Sequence, residues 1–214
     1  MNSLFTLLLQ IPAVIFATTL HEFSRAVVST ILGDKKPKND GKLTINPVKH
    51  FEPIGFILMW LTGFGWGKPV ETSPMFYKNR KHGVLITAIM PSVINIVFAA
   101  IFGIIFAFVG AKNMSVYIQN AGNAASVSQL HLAIYILLYD LVEFNVSIAV
   151  YNIVPVSPMD GLKVLSAILP ANKYFSYIQY EKIIQVIFLL ILFMNYTNVI
   201  FGPIINFIVR LLLI

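Results

Sequence analysis

Residues 4–32, LFTLLLQIPAVIFATTLHEFSRAVVSTIL, decide how the rest of the chain is read. At 1.5 Å per residue, a helix of this length reaches across a hydrocarbon core of roughly 30 Å. Gly33-Asp34 then supplies a C-terminal stop. The run is apolar except for Gln10, Pro12 and one polar cluster, His21, Glu22, Ser24 and Arg25. Ionisable side chains in lipid cost roughly 2.5 to 3.5 kcal/mol each on insertion scales, so those that occur usually face a protein interior or a water-filled site. Positions 21 and 25 stand i, i+4 and positions 22 and 25 stand i, i+3. A helix therefore projects all three groups to one side, where a single polar pocket could hold them.

Composition agrees with a membrane span. The 214-residue chain is 57% hydrophobic and 11% charged, against about 25% charged in ordinary soluble domains, and that apolar excess needs lipid. The apolar runs extend from end to end without a Pro/Gly/Ser-rich linker, so residues 1–214 read as a single domain. A formal charge of +6 could point to nucleic acid, but most of the cations flank apolar runs, where topology and anionic lipid account for them better. With no cysteine, disulfides, thiolate-held zinc and a thiol nucleophile are excluded, and any metal site must use His, Asp and Glu. Met1-Asn2-Ser3 lacks the basic start of a secretory signal, so the first segment is expected to be retained.

Two further runs are long enough to cross: residues 84–110, and residues 132–156, which contain Asp140, Glu143, Asn145 and Asn152. Residues 54–66 are apolar, glycine-rich and too short to span, the pattern of a re-entrant or interfacial segment. In the polar stretch 34–53, the alternation Lys42-Leu43-Thr44-Ile45 predicts a small β-hairpin at the membrane surface. Residues 112–130 read as a polar loop. Residues 183–214 are apolar with a break near Asn195-Tyr196-Thr197-Asn198, as one tilted helix or two shorter ones. The expected fold is an all-α integral membrane protein, a multi-helix transmembrane bundle with a small β-hairpin and a re-entrant segment. Residues 34–82 carry nine Lys/Arg and residues 112–130 carry one. The positive-inside rule thus puts the N-terminus outside and the cation-rich loops in the cytoplasm.

In zinc peptidases, His-Glu-x-x-His works because imidazoles at i and i+4 grip one metal from successive turns. The intervening glutamate reaches the metal-bound water as general base. This chain reads His21-Glu22-Phe23-Ser24-Arg25, one ligand short. The stretch from His21 to Ala26 nevertheless resembles the metal-binding helix of the site-2 proteases, which are intramembrane zinc metalloproteases. Asn152-Ile153-Val154-Pro155-Val156-Ser157-Pro158-Met159-Asp160-Gly161 looks like that family's second motif, whose aspartate supplies the third metal ligand. Further matches run from Asn46 to Gly55, from Gly65 to Val70, and over Pro91-Ser92-Val93-Ile94-Asn95.

The resemblance covers nearly the whole chain and implies the compact bacterial type without an inserted soluble domain. It implies a multi-pass cell-membrane metalloendopeptidase that cuts transmembrane proteins or peptides near the cytoplasmic face. His21 and Asp160 would bind Zn2+, Glu22 would activate the metal-bound water, and Asn95 and Asn152 would orient the substrate. The lipid bilayer and a transmembrane substrate are the implied partners, and nucleic acid is not.

Three positions depart from the family pattern: Arg25 for the second histidine, Met90 for the glycine before Pro91, and Met159 for the leucine before Asp160. Only Arg25 touches metal chemistry directly. A guanidinium has no lone pair to offer and does not deprotonate in proteins. Zinc binding and peptide hydrolysis are therefore expected to be impaired, with Arg25 replacing the metal as the cationic centre between Glu22 and Asp160. The alternative to an enzyme is a non-catalytic homologue that binds or regulates transmembrane helices. His50 reads as a loop-packing histidine, and His82 and His131 as solvated ones. Asn145 reads as an amide that bonds a neighbouring helix, and Asp140 and Glu143 as groups of a helix pair or a water-filled cleft.

Overall fold

The computed structural model describes residues 3–62, 65–110, 129–194 and 197–213. Its helices are α1 (Ser3–Ile31), α2 (Lys36–Asn39), α3 (Pro47–His50), α4 (Pro53–Thr62), α5 (Arg80–Phe108), α6 (Gln129–Tyr151), α7 (Gly161–Ile168), α8 (Ala171–Ile178), α9 (Glu181–Phe193), α10 (Thr197–Ile200) and α11 (Gly202–Leu212). Among the described residues, three stretches are long and apolar enough to cross a membrane: Leu7–Ile31, Arg80–Phe108 and Leu130–Tyr151. They pack against one another as the centre of the molecule.

The central helix is α6, and its sequence explains why. Val142, Val146 and Val150 recur every four residues and meet Ala99 of α5 with Ile205 and Val209 of α11. Phe144 and Ile148, a stripe further round, meet Ala13, Val14 and Ala17 of α1 and Met59 of α4. Small residues on α1 let the backbones approach closely, which is how membrane helices gain packing without a hydrophobic drive. Ile89, Val93, Val97, Ile101 and Ile104 of α5 stay exposed, as a face turned to lipid would.

α1 ends where the sequence indicates. Gly33 adopts φ 108, its N–H donates to Thr30 O at 3.0 Å, and Asp34 N–H donates to Ser29 O at 3.1 Å; a left-handed glycine thus caps the helix. The Asp34 carboxylate then accepts from Ser29 Oγ at 2.8 Å and from Ser73 N–H at 2.6 Å, tying the following loops back to α1.

The hairpin expected around residues 42–45 is not seen among the described residues, where no strand occurs and residues 43 and 44 form a bend between α2 and α3. Pro37 and Pro47 each remove a backbone donor. Lys42 N–H closes a turn on Pro37 O at 2.8 Å, and the His50 ring takes Thr44 O at 2.8 Å, so these two backbone groups are turned to local partners.

The short apolar segment forms α4, ten residues long, and the chain then folds back on it. A Cβ on Gly55 would collide with the Trp66 carbonyl, and one on Gly65 with the Gly55 carbonyl, so only glycine permits that approach. Residues 65–70 follow without regular secondary structure. The third candidate span stops at Tyr151, short of residue 156, because Pro155 and Pro158 cannot continue it. The C-terminal apolar run divides into α9, α10 and α11. Of the expected break, Asn195 and Tyr196 lie outside the described residues, as do residues 111–128 of the expected polar loop.

Candidate functional site

α1 turns His21, Glu22 and Arg25 into the bundle, where they are 3%, 4% and 2% exposed. Asp160 is equally buried and comes from the far side, on the loop that follows α6. That loop closes on Asn152. Gly161 N–H donates to Asn152 O at 2.7 Å and Asp160 N–H donates to Asn152 Oδ1 at 3.3 Å. A Cβ at position 161 would run into the carbonyls of Ile153 and Val154, so glycine allows the turn that aims Asp160 at α1.

The four side chains meet in one ion cluster. Arg25 Nη1 donates to Glu22 Oε1 at 2.9 Å and to Oε2 at 2.7 Å. Arg25 Nη2 donates to Asp160 Oδ2 at 2.5 Å and stands 3.2 Å from His21 Nε2. Arg25 Nε is buried and has no hydrogen-bond partner among the described residues. Glu22 Oε2 also accepts the Val70 N–H at 2.7 Å, and Gly67 packs against the Glu22 side chain, so residues 67–70 border the glutamate.

The proton on His21 follows from its surroundings. Asn95 Nδ2 donates to Ala17 O at 3.1 Å and to Asn145 Oδ1 at 2.7 Å, and Asn145 Nδ2 donates onward to Leu141 O at 2.7 Å. The Asn95 carbonyl oxygen is therefore what faces His21 Nδ1, 2.9 Å away, and Nδ1–H donates to it. Nε2 is left with its lone pair toward Arg25 and Asp160. This is how a protein orients a metal-ligating imidazole through its second nitrogen.

His21 Nε2 and Asp160 Oδ2 are 3.1 Å apart. Two donors at about 2.1 Å from one tetrahedral zinc stand roughly 3.4 Å apart, so the pair faces a common cation. Here that cation is the Nη2 nitrogen of Arg25. Among the described residues, no group of three His, Asp or Glu side chains is disposed to hold a metal. A guanidinium beside the two donors adds positive charge and no lone pair. The residues present do not fit zinc.

Electrostatics reinforce the cluster. Burial works against ionising Asp160, yet the Arg25 charge, the His21 hydrogen bond and the Lys163 charge hold its carboxyl well below the usual carboxylate range. Lys163 Nζ donates to Asp160 Oδ1 at 3.0 Å. Burial and the nearby Arg25 charge push the Lys163 ammonium down, against the pull of Asp160. Sequence reasoning did not single out Lys163. Its spacing, one turn after Asp160 at the start of α7, was the available signal.

The other expected residues sort by position. Asn95 touches His21 directly, and Asn152 shapes the loop that carries Asp160. Asn145 bonds Asn95 across helices. His50 is buried in the loop beside the site, its ring on Thr44 O and its carbonyl on Lys68 N–H. His82 and His131 are exposed. Asp140 and Glu143 share no hydrogen bond with the cluster among those described, and Asp140 Oδ2 is buried without a partner. The cleft at the cluster, lined by Thr18, His21, Glu22, Trp66, Asn152 and Pro158, measures about 10 Å³. That is room for at most a single water.

Over 192 residues, 90% of its length, the chain is 27% identical to a protein of Bacillus subtilis (strain 168) named "Putative zinc metalloprotease YwhC", of which it covers 83%. No family model matches the chain. No solved structure matches it. The three long apolar helices are compatible with a membrane protein, and the similarity supports a metalloprotease-like function.

Proposed function

We propose that this chain is a non-catalytic relative of the site-2 type of intramembrane metalloprotease, one that binds or regulates transmembrane segments of other proteins without hydrolysing them. The observation that carries the proposal is the place of Arg25 Nη2, 2.5 Å from Asp160 Oδ2 and 3.2 Å from His21 Nε2. Those are the two atoms that the family resemblance makes zinc ligands. The guanidinium supplies the cation that site needs, and Glu22, the base of the hydrolytic members, is committed to Arg25 and Val70 N–H. In this reading the protein sits in the cell membrane with its N-terminus outside and the cluster toward the cytoplasmic face, and Asn95 and Asn152 position a bound segment.

A second reading, zinc metalloendopeptidase, draws on the name of the Bacillus subtilis relative. It requires Arg25 to leave Asp160 and Glu22 before either can act. One paired experiment separates the two: zinc content and cleavage of a model transmembrane substrate, measured on this chain and on Arg25→His. The expected outcome is one bound zinc and cleavage in Arg25→His alone. Stoichiometric zinc in the unaltered chain, lost on His21→Ala and accompanied by cleavage, would defeat the proposal.

A further inference from the structure

A groove outside the ion cluster combines an apolar channel with unpaired positive charge. Pro12, Ile15, Phe16 and Leu20 of α1 line it on one side, Ile45 and Pro47 of the loop on the other, and its volume is about 520 Å³. At about 30 Å³ per water-sized group, that is room on the order of one acyl chain. From Pro12 to Phe23, which also lines it, α1 rises about 16 Å, roughly half a hydrocarbon core. A smaller extension of about 150 Å³ continues between Thr18 and Val48. The loop tips beside it are apolar and open, with Ile45 75% and Val48 77% exposed, as residues immersed in lipid rather than water would be.

Lys42, Lys49 and Lys68 gather at the same loop. Lys42 Nζ donates to the Lys49 carbonyl, and Lys68 N–H donates to His50 O at 2.8 Å. Among the described residues, none of the three ammonium groups pairs with a carboxylate. Burial and then the Lys68 charge push the Lys42 ammonium down, with Lys49 adding to the depression and the charges of Glu22 and Asp40 opposing it.

We infer that the groove between α1 and the loop of residues 42–51 is a binding site for an anionic phospholipid. One acyl chain lies along α1 from Leu20 toward Pro12, and the phosphate sits among Lys42, Lys49 and Lys68. Charge complementarity selects the headgroup, and the apolar walls select a chain rather than a free phosphate. The inference does not depend on whether the ion cluster hydrolyses peptides.

The test titrates the full chain in detergent with phosphatidylglycerol and with phosphatidylcholine of the same acyl chains, counting adducts by native mass spectrometry. One phosphatidylglycerol is expected to bind at least tenfold more tightly than phosphatidylcholine. Lys42→Gln combined with Lys49→Gln should bring the two within about twofold, and Ile45→Glu, at an open position, should do the same without disturbing the fold. Equal binding of the two lipids by the unaltered chain would overturn the inference, as would a preference that survives both variants. Tight binding of a transmembrane peptide with an acidic flank, with no lipid preference, would overturn it in favour of a protein occupant.

Discussion

Replacing Arg25 by methionine removes the cation and keeps much of the side-chain volume. In the native cluster the guanidinium is 2% exposed and answers two carboxylates, Glu22 and Asp160, themselves 6% and 1% exposed at their side chains. Removing one partner of a buried pair costs about 3 to 5 kcal/mol, because the other charge stays buried and uncompensated. Asp160 keeps Lys163 at 3.0 Å and the His21 ring, whereas Glu22 keeps only the Val70 N–H among its described partners. The single variant should therefore lose about 3 kcal/mol or more, most of it from Glu22. The triple variant Arg25→Met, Glu22→Gln, Asp160→Asn strands no buried carboxylate, and Lys163, 39% exposed at its side chain, can turn its ammonium to water; apolar or neutral replacement of buried ion clusters is often neutral or stabilising. Its stability should return to within about 1 kcal/mol of the unaltered chain, the opposite of additivity. Unfolding by sodium dodecyl sulfate in mixed micelles, followed by circular dichroism, measures all three. A single variant as stable as the parent, or a triple variant less stable than the single, would refute the ion-cluster account.

Three further outcomes are expected. Asn95→Ala removes the acceptor of His21 Nδ1–H and the donors to Ala17 O and Asn145 Oδ1, at a cost of about 2 kcal/mol; 15N chemical shifts of labelled His21 should show the Nδ1-protonated tautomer losing population. Asp140→Asn replaces a buried carboxylate that has one oxygen without a partner, and micellar unfolding should show it more stable by about 1 to 3 kcal/mol; clear destabilisation would argue that Asp140 has a counter-ion in the membrane. Burial holds the His50 imidazole below its ordinary value, opposed by the Thr44 hydrogen bond and the Glu22 charge, with Lys42 adding to the depression. A base whose folded-state pKa is lowered loses stability as pH falls below about 6.5, by up to about 1.4 kcal/mol per unit until the folded pKa is reached. Unfolding midpoints between pH 7.5 and 5.5 should show that slope, and His50→Gln should flatten it.

The crossings were legible because hydrophobic length is a one-dimensional property: three long apolar runs give three long helices, with ends displaced by a few residues where capping and proline intervene. α6 begins at Gln129 rather than at residue 132 and stops at Tyr151 rather than at 156, since Pro155 bars further turns. The grouping of His21, Glu22 and Arg25 was legible from helical spacing. That Asp160 joins them required the family resemblance, because no local rule connects residues 25 and 160. At residues 42–45 alternation reports which face is apolar and says nothing of whether a second strand is free to pair. Lys163 and the Val70 N–H escaped notice for a related reason. Their role depends on where two loops come to rest, and the second is a backbone group that any residue but proline would carry.

Charge counting shows how the ion cluster balances itself. A zinc site built from two neutral histidines, an aspartate and a glutamate sums to zero once the dication is bound. In this chain Arg25 and Lys163 bring two positive charges to the two negative ones of Glu22 and Asp160. The sum is again zero. In a low-dielectric interior the penalty for an uncompensated charge is large, and it falls on the cluster as a whole rather than on any pair. An arginine at position 25 alone would leave one carboxylate in excess, and Lys163, placed one turn along α7 by the same loop that delivers Asp160, removes that excess. Returning position 25 to histidine while Lys163 stays beside Asp160 leaves a competing ammonium on a ligand oxygen. Zinc should therefore bind more tightly to Arg25→His combined with Lys163→Gln than to Arg25→His alone, and equal affinities in a competition titration with a chromogenic chelator would show that the lysine takes no part in the balance.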